Sequence, residues 1–343
     1  MLTIYQKAKE SIDREIAIYL NLLEATENFN KLSPASLSSK ENVILFGAGL
    51  GLAPEQSIKS DASYLISEFD RKSALNFDVE AAICTGVYTS IRSYSYDLFD
   101  HAKDITNNFT TFTSDNFINS PALLPIYQNV LGLSKSQLKK RVGTASDTHI
   151  SKPAAEKLAN LMLEHCNKID VNKENTLLRL EITLEGIVRD LVGRVVFEEI
   201  VSHALRNEGV LHLREDEYPN LSGVIYDFRA DFVIPNHKQP LAFIEVRKSS
   251  SRHASLYAKD KMFSAINWKG NHNNLIGIIV TEGDWTQATL KTMSSVFDYV
   301  IPLNKANKLA KMLKRLQDGD KSLQKWLIEF KIKNSPNFAN HEI

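Results

Sequence analysis

The sequence predicts an α/β (α+β) protein in which a mixed-sheet core follows a mostly helical N-terminal half. Three observations carry that prediction. Up to about residue 175, apolar residues recur at steps of three and four, as in Ile12, Ile16, Ile18, Tyr19, Leu22 and Leu23, the period of one helix face. From Leu178 on, a long amphipathic stretch gives way to short runs rich in Val, Ile and Phe, the side chains that suit a pleated surface. Those runs then alternate with helical segments, which is the pattern of a sheet covered by helices.

The elements follow in order. The first half is helical, broken by the polar stretches NFNKLSPASLSSKEN and TNNFTTFTSDNFINSP. VILFGAGLGLAPEQS (43–57) starts like a strand before a Gly-rich turn, with Glu68 and Asp70 about twenty residues on. Its GxGxG spacing and the lack of a surrounding βαβ unit make it a loop between helices, not a dinucleotide fingerprint. A helix from Thr183 to Arg206 opens the second half. After it come strands from Gly209 to Arg214, Tyr226 to Ile234 and Leu241 to Arg247. A helix from Ala254 to Trp268, a strand from Leu275 to Thr281, a helix from Trp285 to Val296 and a strand from Tyr299 to Leu303 complete the core. The segments 226–234 and 241–247 make a hairpin, and the helix after Arg247 is a crossover to a parallel strand, so the sheet is mixed. The polar segment from Lys305 on reads as a helical tail. The expected division is a helical N-terminal domain over 1–175, a core over 176–312 and the tail over 313–343.

Composition narrows the functional classes. The 343 residues hold 41 basic and 41 acidic side chains, so no overall positive field attracts nucleic acid or an anionic membrane, and any polyanion must meet a local patch. Cys84 and Cys166 stand far apart and form neither a disulfide framework nor a zinc spacing, which suits the cytoplasm. No apolar run approaches the roughly 18 residues of a membrane span, so a soluble chain with no membrane partner is expected.

The chemistry concentrates in YDFRADFVIPNHKQPLAFIEVRKSS (226–250), where Asp231 and Glu245 interrupt apolar strands. Burying a carboxylate without compensation is expensive, and two on adjacent strands raise each other's pKa unless a cation intervenes. Hard oxygen ligands of this kind suit Mg²⁺, which polarises a phosphodiester and acidifies a bound water, with a nearby Lys or Arg to stabilise developing charge. Strand alternation sets Glu245 and Arg247 on one face and Lys248 on the other, unless a bulge shifts the register.

RADFVIP, a 13-residue interval and FIEVRKS together resemble the PD-(D/E)XK nuclease core, as does the element order over roughly residues 180 to 305. The resemblance implies a restriction-endonuclease-like fold and a Mg²⁺-dependent DNA endonuclease of restriction type. Asp231 and Glu245 would hold the metal. GRVVFEEIVSHALRNEG looks like the family's opening helix, which offers Glu198, with Glu199 beside it, as a further metal contact. Two positions depart from the motif. Ala230 stands where the Pro would be, and the position two after Glu245 is Arg247, with Lys248 following it. Arg247 fills the lysine's role electrostatically, a bulge turns Lys248 inward, or a helix lysine such as Lys259 or Lys261 substitutes.

Phosphate contacts are expected from Lys135, Lys139, Lys140, Arg141 and Lys152, a locally basic stretch whose spacing loosely suggests helix-turn-helix. Ser249, Arg252 and His253 follow the acidic strand where a helix opens, a place suited to anion contacts. The resemblance further implies a homodimer on double-stranded DNA and a companion DNA methyltransferase. Two other readings stand beside it: a repair or recombination nuclease on the same core, and a DNA-binding protein whose nuclease site is degenerate.

Overall fold

The computed structural model describes residues 1–71, 77–249 and 254–329. The chain divides into two compact units, one made of residues 1–19 and 33–196, the other of 20–32 and the chain from Phe197 on.

The first unit is helical throughout its described regular structure, apart from one isolated bridge. Its elements are α1 (Ile4–Ala25), which runs on into the second unit, α2 (Lys40–Gly49), α3 (Pro54–Lys59), α4 (Ala62–Arg71) and α5 (Val79–Ile105). They continue as α6 (Ser114–Asn119), α7 (Leu124–Val130), α8 (Lys135–Val142), α9 (Lys152–Cys166) and the start of α10 (Lys173–Asn207). Starts are set by capping: the Asp78 carboxylate accepts from Ala81 N–H at the head of α5, and Ser134 with Gln137 closes a capping box on α8. The segment 43–49, strand-like in sequence, lies within α2, because its apolar residues, buried from Leu45 to Gly49, serve a buried helix face as well as a strand. Between α8 and α9, residues 143–151 form a small bridged turn, Ala145 pairing with Ile150. That is longer than the three or four residues of a helix-turn-helix, so the expected spacing is not found there.

The second unit is built on a sheet of β1 (Leu213–Arg214), β2 (Phe232–Ile234), β3 (Ala242–Ser249), β4 (Ile276–Gly283) and β5 (Tyr299–Pro302), in that spatial order. β1, β2 and β3 are antiparallel neighbours, while β3, β4 and β5 are parallel. The crossovers carry α11 (Ala254–Asn271) and α12 (Gln287–Met293), and α13 (Ala306–Gln317) follows β5. β4 is buried from Ile276 to Thr281, which explains its unbroken aliphatic run. Val233, Phe243 and Ile279 face α11 and α12, where Trp268 and Phe243 meet edge to face at 5.0 Å. Each such fully buried large side chain stabilises the unit by roughly 1.5–3 kcal/mol.

Three expectations need correction. The strands expected over 209–214 and 226–234 are short: Leu211 bonds the Gln317 side chain through its N–H and C=O, Ile225 and Tyr226 donate their N–H groups to the buried Asn267 Oδ1, and Leu221 bridges Phe228. The boundary expected at 175 falls instead after Val196, inside α10, and residues 20–32 join the second unit. There Lys311 of α13 pairs with Glu24 at 2.7 Å, and Asn307 donates to Leu20 O, contacts that periodicity cannot reveal. The tail expected to be helical over 313–343 is helical only to Gln317 before a 3₁₀ turn at Lys321–Leu323, and residues 330–343 lie outside the described residues.

Candidate functional site

The register of β2 on β3 brings the two acids together. Phe232 faces Ile244, so one step back sets Asp231 opposite Glu245 at the end of the short strand. Asp231 is held by the backbone as well: its Oδ2 accepts from Val246 N–H at 2.6 Å. The residue before it is clamped by Tyr218, whose hydroxyl donates to Ala230 O at 2.8 Å and accepts from Ala230 N–H at 2.6 Å. Proline has no N–H to give, so this clamp excludes Pro at position 230.

One guanidinium spans both carboxylates. Arg247 Nη1 lies 2.8 Å from Asp231 Oδ2 and Nη2 lies 2.8 Å from Glu245 Oε2. Lys261 of α11 reaches the same Glu245 oxygen at 3.0 Å. The Glu245 side chain is 0 % exposed, and its other oxygen, Oε1, is buried with no hydrogen-bond partner. Buried acceptors in folded proteins are nearly always satisfied, so this atom stands out as a place for a ligand.

Burial pushes the Glu245 carboxyl up to about 7, with the Asp231 charge adding to the rise and Arg247 and Lys261 opposing it. Burial likewise raises Glu198 to about 7, again with help from Asp231 and against Arg214 and Arg247. For Arg247, burial alone would lower the pKa; the Glu245 and Asp231 carboxylates outweigh it and hold the guanidinium above its ordinary range.

β3 keeps an unbroken register with β4 through Ser249, so no bulge reorients its side chains. Arg247 therefore turns to the acids, while Lys248 stands exposed on the other face with its ammonium 5.3 Å from the centre of the Phe197 ring. Glu198 lies near the pair, with Arg214 Nη2 at 3.7 Å. Its neighbour Glu199 is engaged by Arg214 Nη1 and, at 3.7 Å, by Arg206. Among the described residues, no group of three or more His, Cys, Asp or Glu is gathered as a metal site. Lys135, Lys139, Lys140, Arg141 and Lys152 are exposed on or beside α8 and α9 of the first unit. Ser249 is buried at the end of β3, 3 % exposed, and so does not present a surface for DNA; Arg252 and His253 lie outside the described residues.

Sequence reasoning passed over Arg214 and Tyr218. Arg214 ends the alternating run LHLR, a weak signal for a charged strand end, and Tyr218 gives none, since its partner Ala230 lies twelve residues on, just before β2.

Two carboxylates able to face one point, one of them with an unpartnered buried oxygen, suit a hard divalent cation such as Mg²⁺, which takes one or two protein carboxylates and fills its shell with water and phosphate oxygen. No family model matches the chain, and no curated protein or solved structure matches it either. Among the described residues, no helix is long and apolar enough to cross a membrane.

Proposed function

We propose that the protein is a Mg²⁺-dependent endonuclease of double-stranded DNA, built on a restriction-endonuclease-like PD-(D/E)XK core and acting as a sequence-specific restriction enzyme. The observation that carries this reading is the pair Asp231 and Glu245, set side by side across a β-ladder with Glu245 Oε1 buried and unpartnered. Element order supports it too, since a helix, an antiparallel three-strand run, a crossover helix and a further parallel strand are all present.

Asp231 and Glu245 would hold the metal, with Glu198 as an outer contact. A bound Mg²⁺ would polarise the scissile phosphodiester and acidify the attacking water. Glu198, raised to about 7, is matched to accept a proton at neutral pH on its carboxylate. Lys261, 12 % exposed beside Glu245, supplies the positive charge that the motif places two residues after the second acid. The exposed lysines of α8 and Lys152 of α9 would contact backbone phosphates, and a homodimer would match the twofold symmetry of a palindrome.

A non-catalytic DNA-binding role is the competing reading, favoured by the Arg247 guanidinium lying between the two acids. Plasmid cleavage in Mg²⁺ and in chelator separates them. The enzyme reading expects discrete fragments in Mg²⁺ alone, and Asp231→Ala and Glu245→Ala should each abolish cutting while binding is kept. Retention of DNA without cutting would favour the binder, and cutting confined to branched or damaged DNA would favour a repair nuclease.

A further inference from the structure

Arg247 has two jobs that exclude each other, and this inference rests on the metal-site reading above. Its two terminal nitrogens occupy Asp231 Oδ2 and Glu245 Oε2, each at 2.8 Å. Glu245 Oε1 is left for an ion, but an ion held by both carboxylates would stand directly against the guanidinium that bridges them. A guanidinium and a divalent cation at those oxygens would also repel each other. Lys261 comes to the pair from another element: it approaches Glu245 Oε2 from α11 at 3.0 Å.

We infer that Arg247 is a latch on the metal site, bridging Asp231 and Glu245 when no ion is bound and moving to the DNA phosphate when one enters. The side chain is suited to the exchange. It is 25 % exposed, the most accessible of the four charged groups at the pair, and its planar fork fits a phosphate as well as it fits a carboxylate. While latched, it stands in for the cation that two buried acids need, which keeps the metal-free unit folded. Once displaced, it loses two charge-assisted hydrogen bonds and regains them on a phosphate oxygen. Metal and DNA therefore bind cooperatively, each tightening the other by the same factor.

The test is Mg²⁺ binding by calorimetry, which needs no turnover. Arg247→Gln should bind Mg²⁺ about tenfold more tightly than wild type, because two charge-assisted bonds no longer compete. Arg247→Lys, whose point charge cannot fork across both acids, should fall between them. A short duplex made resistant to hydrolysis should tighten Mg²⁺ binding to the wild type about tenfold more than it tightens binding to Arg247→Gln, where the ion gains only the phosphate oxygen. If both proteins bind Mg²⁺ with one affinity, the latch is wrong while the metal site stands. If neither binds Mg²⁺, the acids form no metal site and the nuclease reading fails with the latch. The wild-type duplex experiment stands even if a variant does not fold: no effect of duplex on a measurable Mg²⁺ affinity overturns the latch.

Discussion

At the scale of the residue, the informative positions are those where the chain departs from the motif it resembles. Ala230 is one. Its N–H and C=O both bond the Tyr218 hydroxyl, which fixes the backbone next to Asp231. Restoring the motif with Ala230→Pro should therefore destabilise the protein by about 1–3 kcal/mol, since the buried Tyr218 oxygen loses its donor. Urea unfolding measures this, and an unchanged or raised midpoint would show that the clamp is not a stabilising contact. The acids themselves were legible in the sequence, because carboxylates in an aliphatic run demand a partner. Which partner was not legible. Arg247, Lys248 and a helix lysine such as Lys259 or Lys261 were all open beside the expected Mg²⁺; Arg247 and Lys261 both meet Glu245, and nothing in local spacing says that a helix lysine sixteen residues downstream comes to the same oxygen.

At the scale of the element, strand alternation decides between neighbouring cations. β3 pairs without interruption from Ala242 to Ser249, so Arg247 and Lys248 point to opposite faces. Lys248→Ala should leave cleavage near the wild-type rate, and Lys261→Gln should lower it by about a hundredfold, the scale of losing one electrostatic contact to the reacting group. A plasmid assay on both variants checks this, and the reverse ranking would mean that the strand turns over when DNA binds. Element order and type were readable because hydrophobic period and β-branched runs encode them locally. Strand lengths were not, since residues 223–228 satisfy the Tyr226 backbone on Asn267 of α11, a long-range partner. Residues 20–32 were assigned to the helical N-terminal domain for a similar reason: amphipathic pattern shows that a face is buried, and not that Glu24 and Leu20 lie against α13.

At the scale of the whole molecule, the buried carboxyls link stability to pH and, on the proposed reading, to metal. Folded Glu245 keeps its proton up to about 7, whereas in the unfolded chain it lets go near its ordinary 4.5. Between those values the folded state binds more protons, so its contribution to stability is complete below 4.5 and is lost as pH rises through about 7. Facing it are Asp231 from the end of β2, Arg247 from β3 and Lys261 from α11, and Glu198 shares the rise. In chelator, the melting temperature of the wild type relative to Glu245→Gln should fall between pH 5 and pH 8; a flat or rising difference would mean that Glu245 ionises without penalty. Metal affinity should move the other way, since an ion needs the charged carboxylates. The most direct measurement of the central idea is the anomalous diffraction of crystals soaked in Mn²⁺. It should show one peak within ligand distance of both Asp231 and Glu245, with the Arg247 side chain withdrawn from between them. A map with no peak at the pair and Arg247 still bridging it would contradict the account.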